Sequence, residues 1–185
     1  MKNVEIRFKV TFLDDIRKVM SMLYAQDYVG LFNQKDSYYV TIPKIGSENH
    51  SDILSKEDRR GCEFCQEMDR QVLRIREENY RVEITESSGK SIKVLDNVEM
   101  LKKKYLKKFE KVIVIDKVRD LYVIGQTNIY LDTVSKLGDF VKLSCSIREG
   151  QTVEDGQKIL SDWIETLSLN LSTICNKKYI DIIES

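Results

Sequence analysis

Residues 3–11 alternate without a break: Val4, Ile6, Phe8 and Val10 are apolar, and Asn3, Glu5, Arg7 and Lys9 between them are polar. Successive side chains of a strand point to opposite sides, so the segment predicts a strand with one apolar and one charged face. Over residues 13–28 the pattern changes. Ile16, Val19, Met20, Leu23 and Tyr24 recur at steps of three and four, and Asp14 and Asp15 fall in the first turn, where carboxylates complement the helix dipole. That spacing predicts an amphipathic helix. Residues 29–42 then read as a long strand or hairpin, ended by Pro43, which cannot donate to a ladder.

Residues 44–69 are polar and hold no period, which predicts a long surface loop. Strands resume over 71–77 and 80–86, and Ser87, Ser88 and Gly89 supply a turn. In residues 98–109 the positions Val98, Leu101, Tyr105 and Phe109 form a helical stripe opposite lysines, a face that is solvated by default and otherwise suits nucleic acid or a membrane surface. Residues 111–147 read as three or four strands broken near Gly125 and at 136–138. Ile159, Leu160, Trp163, Ile164 and Leu167 mark a last helix over 152–169. Many strands with about three helices predict an α+β fold with a strongly curved antiparallel sheet.

Composition narrows the class. With 185 residues, 42% hydrophobic and 32% charged, the chain suits one globular domain over residues 1–185, and no apolar run is long enough for membrane insertion. The first residues alternate where a signal peptide would be continuously apolar, so an intracellular protein, cytoplasmic or nuclear, is expected. Thirty basic and thirty acidic residues cancel, so any electrostatic function must come from local segregation of charge. Cys62 and Cys65 form one C-x-x-C pair. With only Cys145, Cys175 and His50 to complete a zinc site, and no second paired spacing, reduced thiols are the expectation.

Charge segregation is visible on the strands. Arg7 and Lys9, Arg74 and Arg76, and Lys117 and Arg119 each stand two apart, so each pair shares a face. Alternation leaves two arrangements open. The faces could look outward to solvent, or they could line a closed sheet, where the cations would require an anion such as a polyphosphate.

Several short motifs in order resemble the CYTH superfamily, the triphosphate-tunnel proteins. Asn3-Val4-Glu5-Ile6-Arg7 resembles its E-x-E-x-K, Gln34-Lys35-Asp36-Ser37-Tyr38-Tyr39 its Q-x-D-x-Y-F, and L-R-I-R stands unchanged at 73–76. Ile115-Asp116-Lys117-Val118-Arg119 resembles V-x-K-x-R, and Ile129-Tyr130-Leu131-Asp132-Thr133-Val134 resembles I-H-L-D-x-V. L-G-D-F stands at 137–140, and KKYIDII is similar to the closing S-Y-x-D-L-L. The likeness is greatest to class IV adenylyl cyclase-like members. It implies a closed or nearly closed eight-stranded antiparallel barrel with about three flanking helices, in which basic residues grip a triphosphate and acidic residues hold magnesium or manganese. Members of the cyclase type often pair, which makes a homodimer an expectation.

The departures fall on the acidic positions. Asn3 replaces the first signature glutamate, and Lys142 and Ser144 replace the glutamates of F-x-E-x-E, leaving Glu5 and Asp132 as the matched metal candidates. Hard cations need anionic oxygen, and an ammonium at a ligand position repels them. Asn128 stands where an arginine is common, and Glu83 adds negative charge. Anion binding is then carried by Arg7, Lys9, Arg74, Arg76, Lys117, Arg119 and Lys142. The resemblance therefore predicts a catalytically degenerate domain that binds a phosphate-rich ligand, nucleic acid or a protein partner. The alternative is a metal-dependent adenylyl cyclase or triphosphatase acting on a small triphosphate.

Overall fold

A computed structural model of the chain describes residues 2–41, 72–78, 81–86, 91–94, 109–175, 177 and 179–183. The strands are β1 (Asn3–Val10), β2 (Tyr28–Thr41), β3 (Val72–Glu78), β4 (Arg81–Glu86), β5 (Ser91–Val94), β6 (Phe109–Ile124), β7 (Thr127–Val134) and β8 (Gly138–Ser146). The helices are α1 (Leu13–Leu23), α2 (Val153–Thr166) and the short α3 (Tyr179–Ile183). The strands hydrogen-bond in the order β1-β8-β7-β6-β2-β3-β4-β5. This is an antiparallel α+β fold, as the sequence predicts. β1 and β5 are the two ends of the order, so among the described residues the sheet is not closed, where a closed or nearly closed barrel was expected. Along β1, Phe8 bridges Ile174 and the Arg7 carbonyl accepts from Cys175 N–H at 2.8 Å.

The predicted loop at 44–69, with His50, Cys62 and Cys65, lies outside the described residues, as does the lysine-rich helix up to residue 108. Phe109, assigned to that helix by its spacing, opens β6. β5 follows the Ser87-Ser88-Gly89 segment and carries no sequence signal strong enough to predict it. Among the described residues no helix is long and apolar enough to cross a membrane.

The chain forms two compact units, Met1–Gln34 with Ile115–Ser185, and Lys35–Val114. In the first, the apolar side of the sheet carries Phe8, Val10, Ile129, Leu131, Val141, Leu143 and Cys145, all buried. Leu13, Ile16 and Met20 of α1 and Leu160 of α2 complete this core, so both long helices pack on one face of the sheet. Gly156 allows the approach of α2, because a Cβ there would collide with Ile147 and lie 3.2 Å from Val4 Cγ2. Arg17 ties α1 down, with Nε 2.9 Å from Asp120 Oδ2 and Nη2 donating to Thr133 Oγ1 at 3.1 Å. In the second unit, Leu73, Ile75, Val82 and Ile84 form the buried face of β3 and β4.

Local chemistry sets the boundaries. α1 stops at Leu23 and not at residue 28, because Tyr24 leaves helical backbone (φ −133°, ψ 29°) and Tyr28 enters β2, its hydroxyl donating to Asp120 Oδ1 at 3.0 Å. Gly125, with φ 61°, makes the β6–β7 turn where the sequence places a break. α2 begins in a capping box: Thr152 Oγ1 accepts from Asp155 N–H at 3.2 Å, and the Asp155 carboxylate accepts from Thr152 N–H at 2.8 Å. It ends in a Schellman motif, with Ser168 N–H donating to Glu165 O and Leu169 N–H to Ile164 O. Ser168 holds the left-handed position (φ 50°) that favours glycine.

The two ends of α2 therefore respond oppositely to substitution. Thr152→Ala removes the cap and lowers unfolding free energy by about 1 kcal/mol. Ser168→Gly relieves the left-handed backbone and raises it by about 1 kcal/mol. Urea unfolding followed by circular dichroism measures both; a stability loss in Ser168→Gly contradicts this account of the helix end.

Candidate functional site

The face of the first unit's sheet opposite the helices is charged, and its antiparallel register arranges the side chains in rows. One row runs Arg7, Lys142, Tyr130 and Leu121 across β1, β8, β7 and β6. The next carries Glu5, Ser144 and Asn128, and on the other side lies Lys9, Phe140, Asp132 and Arg119. Lys117 stands one row further, paired with Val134. The structure thus brings together Arg7, Lys9, Lys117, Arg119, Lys142, Glu5 and Asp132, all expected to be site residues, on one face of one unit.

Asp132 has no exposed surface. Arg119 grips it through two hydrogen bonds, Nε to Oδ1 and Nη2 to Oδ2, both 2.6 Å, and Tyr179 Oη donates to Oδ2 at 2.8 Å. Burial pushes the Asp132 carboxyl up. The Arg119 hydrogen bonds and charge, the Lys117 charge and the Tyr179 hydroxyl outweigh burial and hold it below the usual range. Tyr179 arrives from α3, lies 4.9 Å from Phe140 ring to ring, and is pushed far up by burial and by Asp132.

Two tyrosines separate the cations. The Arg7 guanidinium lies 4.4 Å from the centre of the Tyr179 ring and Lys117 Nζ 5.4 Å from it, while Arg119 and Lys142 flank Tyr130 at 4.4 and 5.4 Å. Each ring face attracts positive charge, which lowers the repulsion the cations would otherwise feel. Arg7 Nη1 also donates to the Lys177 carbonyl at 2.6 Å, while its Nε is buried with no hydrogen-bond partner.

Lys142 Nζ lies 2.8 Å from Glu5 Oε1, which also accepts from Ser144 Oγ at 3.1 Å. Burial raises the Glu5 carboxyl, but Lys142, Ser144 and Arg7 bring it below its ordinary value. Glu5 and Asp132 are the carboxylates that the sequence offers to magnesium or manganese, and this donor set does not fit a divalent ion. Glu5 is occupied by an ammonium and a hydroxyl, and both Asp132 oxygens accept from Arg119. Among the described residues no group of three His, Cys, Asp or Glu is placed to hold a metal.

In the second unit, Arg74 and Arg76 share the face of β3 opposite Leu73 and Ile75. Arg76 makes a bidentate contact with buried Asp36, Nε to Oδ1 and Nη2 to Oδ2, each 2.7 Å. Arg74 Nη2 donates to Thr85 Oγ1 at 3.0 Å and lies 3.7 Å from Glu83 Oε2. These arginines are therefore opposed by carboxylates within their own unit. The sequence reading gave no role to Asp36, Tyr130 or Tyr179. Tyr130 stands two residues from Asp132 and so on the polar face, which is the signal that could have found it; for Tyr179, reached through α3, alternation offers none.

The Arg119–Asp132 contact gives a pH-dependent prediction. A carboxyl held low in the folded state adds stability that is full above its unfolded value of about 3.9 and is lost as pH falls through the lower folded value. Asp132→Ala leaves Arg119 without that charge, so it costs about 3–5 kcal/mol at neutral pH, and the gap to the wild type narrows below about pH 4. Urea midpoints measured across acid pH test this, and a gap independent of pH contradicts it.

The CYTH domain family matches residues 1–174 of the chain. No curated protein sequence matches it significantly. Among solved structures, a Pyrococcus horikoshii protein superposes with a TM-score of 0.70 at 16% identity, covering 99% of this chain and 98% of that one. A candidate adenylate cyclase from Vibrio parahaemolyticus gives 0.68 at 13% identity, covering 99% and 98%. A candidate adenylyl cyclase from Hippeastrum with a dominant triphosphatase activity gives 0.58 at 10% identity, covering 98% and 94%. At these identities the likeness is one of fold. The family match spans nearly the whole sequence and agrees with that fold: the chain belongs to the CYTH domain family.

Proposed function

We propose that this CYTH domain binds a phosphate-rich small molecule on the charged face of its sheet and has lost the metal-dependent chemistry of cyclases and triphosphatases. The observation that carries the reading is the charge imbalance of that face. Among the described residues named here, Arg7, Lys9, Lys117, Arg119 and Lys142 stand with Glu5 and Asp132, five cations to two carboxylates. Arg7 and Lys142 are direct cross-strand partners, an arrangement of like charges that costs stability and that Glu5, 2.8 Å from Lys142 Nζ, offsets only in part. A phosphate chain supplies several acceptor oxygens to such a group, and each charge-assisted contact is stronger than a neutral one.

Arg74 and Arg76 are proposed as a further phosphate-binding pair on the family resemblance alone, and residues 1–185 as one working domain. An intracellular location, cytoplasmic or nuclear, belongs to the same reading. Nucleic acid and a protein partner are less well supported, because the local excess of charge suits a compact anion. The second reading, an adenylyl cyclase or triphosphatase using magnesium or manganese, is favoured by the triphosphatase activity named for the Hippeastrum neighbour.

One set of assays separates these. The protein is incubated with ATP, thiamine triphosphate or tripolyphosphate and each metal, and cyclic AMP and phosphate are measured beside calorimetric binding. We expect binding without turnover, weakened about tenfold by Arg7→Ala and falling as ionic strength rises. Turnover abolished by Arg76→Ala would overturn the non-catalytic reading, and tight, salt-sensitive binding of oligonucleotides in place of the small anions would redirect it to nucleic acid.

A further inference from the structure

We infer that the charged face takes its phosphate ligand free of metal, with the Lys142 ammonium doing the work that a divalent ion does at comparable positions of the family. The inference rests on the phosphate-binding reading and adds a preference for one form of the ligand. Lys142 stands at a position where the resemblance places a metal-binding glutamate, and the structure puts its Nζ 2.8 Å from Oε1 of Glu5, one of the two matched carboxylates that remain. Ser144, at the second replaced position, donates to the same Glu5 oxygen at 3.1 Å. A fixed positive charge therefore sits on the carboxylate that would otherwise be a metal ligand. The ammonium carries three donors, and one is directed at Glu5, leaving others for phosphate oxygens.

Electrostatics then sets the preference. A metal-free polyphosphate carries its full negative charge to a face on which, among the described residues named here, Arg7, Lys9, Lys117, Arg119 and Lys142 outnumber Glu5 and Asp132. Chelation by magnesium cancels part of that charge. It also brings a strongly hydrated cation towards Lys142 and Arg7, with Glu5 and Asp132 already accepting from Lys142 and Arg119. Added magnesium should thus compete with the protein for the ligand.

The test is a calorimetric titration of the full chain with tripolyphosphate, once in EDTA and once with magnesium in excess of the ligand. The wild type is expected to bind in EDTA and to lose about tenfold in affinity when magnesium is added, the size of one lost charge-assisted contact. The double variant Lys142→Glu with Ser144→Glu should reverse the order, binding weakly in EDTA and more tightly with magnesium. Lys142→Met, which removes charge without adding a carboxylate, should weaken binding in EDTA about tenfold and serves if the double variant does not fold. Wild-type binding that requires magnesium overturns the inference and leaves phosphate binding standing. No binding in either condition overturns both, and unchanged binding in EDTA for Lys142→Met removes Lys142 from the site.

Discussion

A carboxylate with no exposed surface cannot stay ionised alone, and Asp132 stays ionised because Arg119 and Tyr179 surround it with donors. That cluster joins α3 to the adjacent strands β6 and β7. It fixes the Arg119 guanidinium beneath the Tyr130 ring and the Tyr179 ring between Arg7 and Lys117. Arg7 and Lys142 have further anchors of their own, the Lys177 carbonyl and Glu5.

The two units allocate charge differently. In the second, Arg76 is held by Asp36 and Arg74 lies near Glu83, so the named positive and negative groups balance. The first has an excess of positive groups and uses aromatic faces to separate them. A ring accepts a cation without neutralising it, as Tyr179 does at Arg7, whereas Arg119 and Lys142 also pair with Asp132 and Glu5. An ion pair such as Arg76–Asp36 must be broken or shared before phosphate can use it. The phosphate reading leans on the first unit because its named cations outnumber its named carboxylates, although the sequence presents L-R-I-R, like L-G-D-F, unaltered from the family.

Much of this was legible in the sequence for a simple reason: residues 3–10 alternate apolar with polar, so the two faces of β1 follow from the period once the strand is recognised. The breaks at Gly125 and at 136–138 were equally readable, because Gly125, Lys136 and Gly138 take positive φ. Helix ends were not, since Tyr24 and Ser168 terminate α1 and α2 through backbone conformations that no composition signal announces. Pairing between charges was also hidden. Periodicity places Arg76 and Asp36 on faces but cannot say that they touch, and it gives no reason to link Tyr179 with Asp132, 47 positions earlier.

The link between Tyr179 and the charged face depends on main-chain geometry as much as on side chains. After α2, the chain turns through Leu171–Thr173 and runs beside β1, where Ile174 bridges Phe8 and Cys175 N–H meets the Arg7 carbonyl. Lys177 O then accepts from Arg7 Nη1, so one residue of β1 is held through both its backbone and its guanidinium by the segment that leads into α3. Covering part of an edge strand protects its unpaired groups. Here the same contact also sets the register at which Tyr179 crosses to the charged face. Because side chains alternate with a period of two, a slip of β1 by one residue would turn Arg7 into the core and Phe8 towards the cations. The apolar core and the charged face are therefore specified together, and the segment along β1 helps to hold both in place.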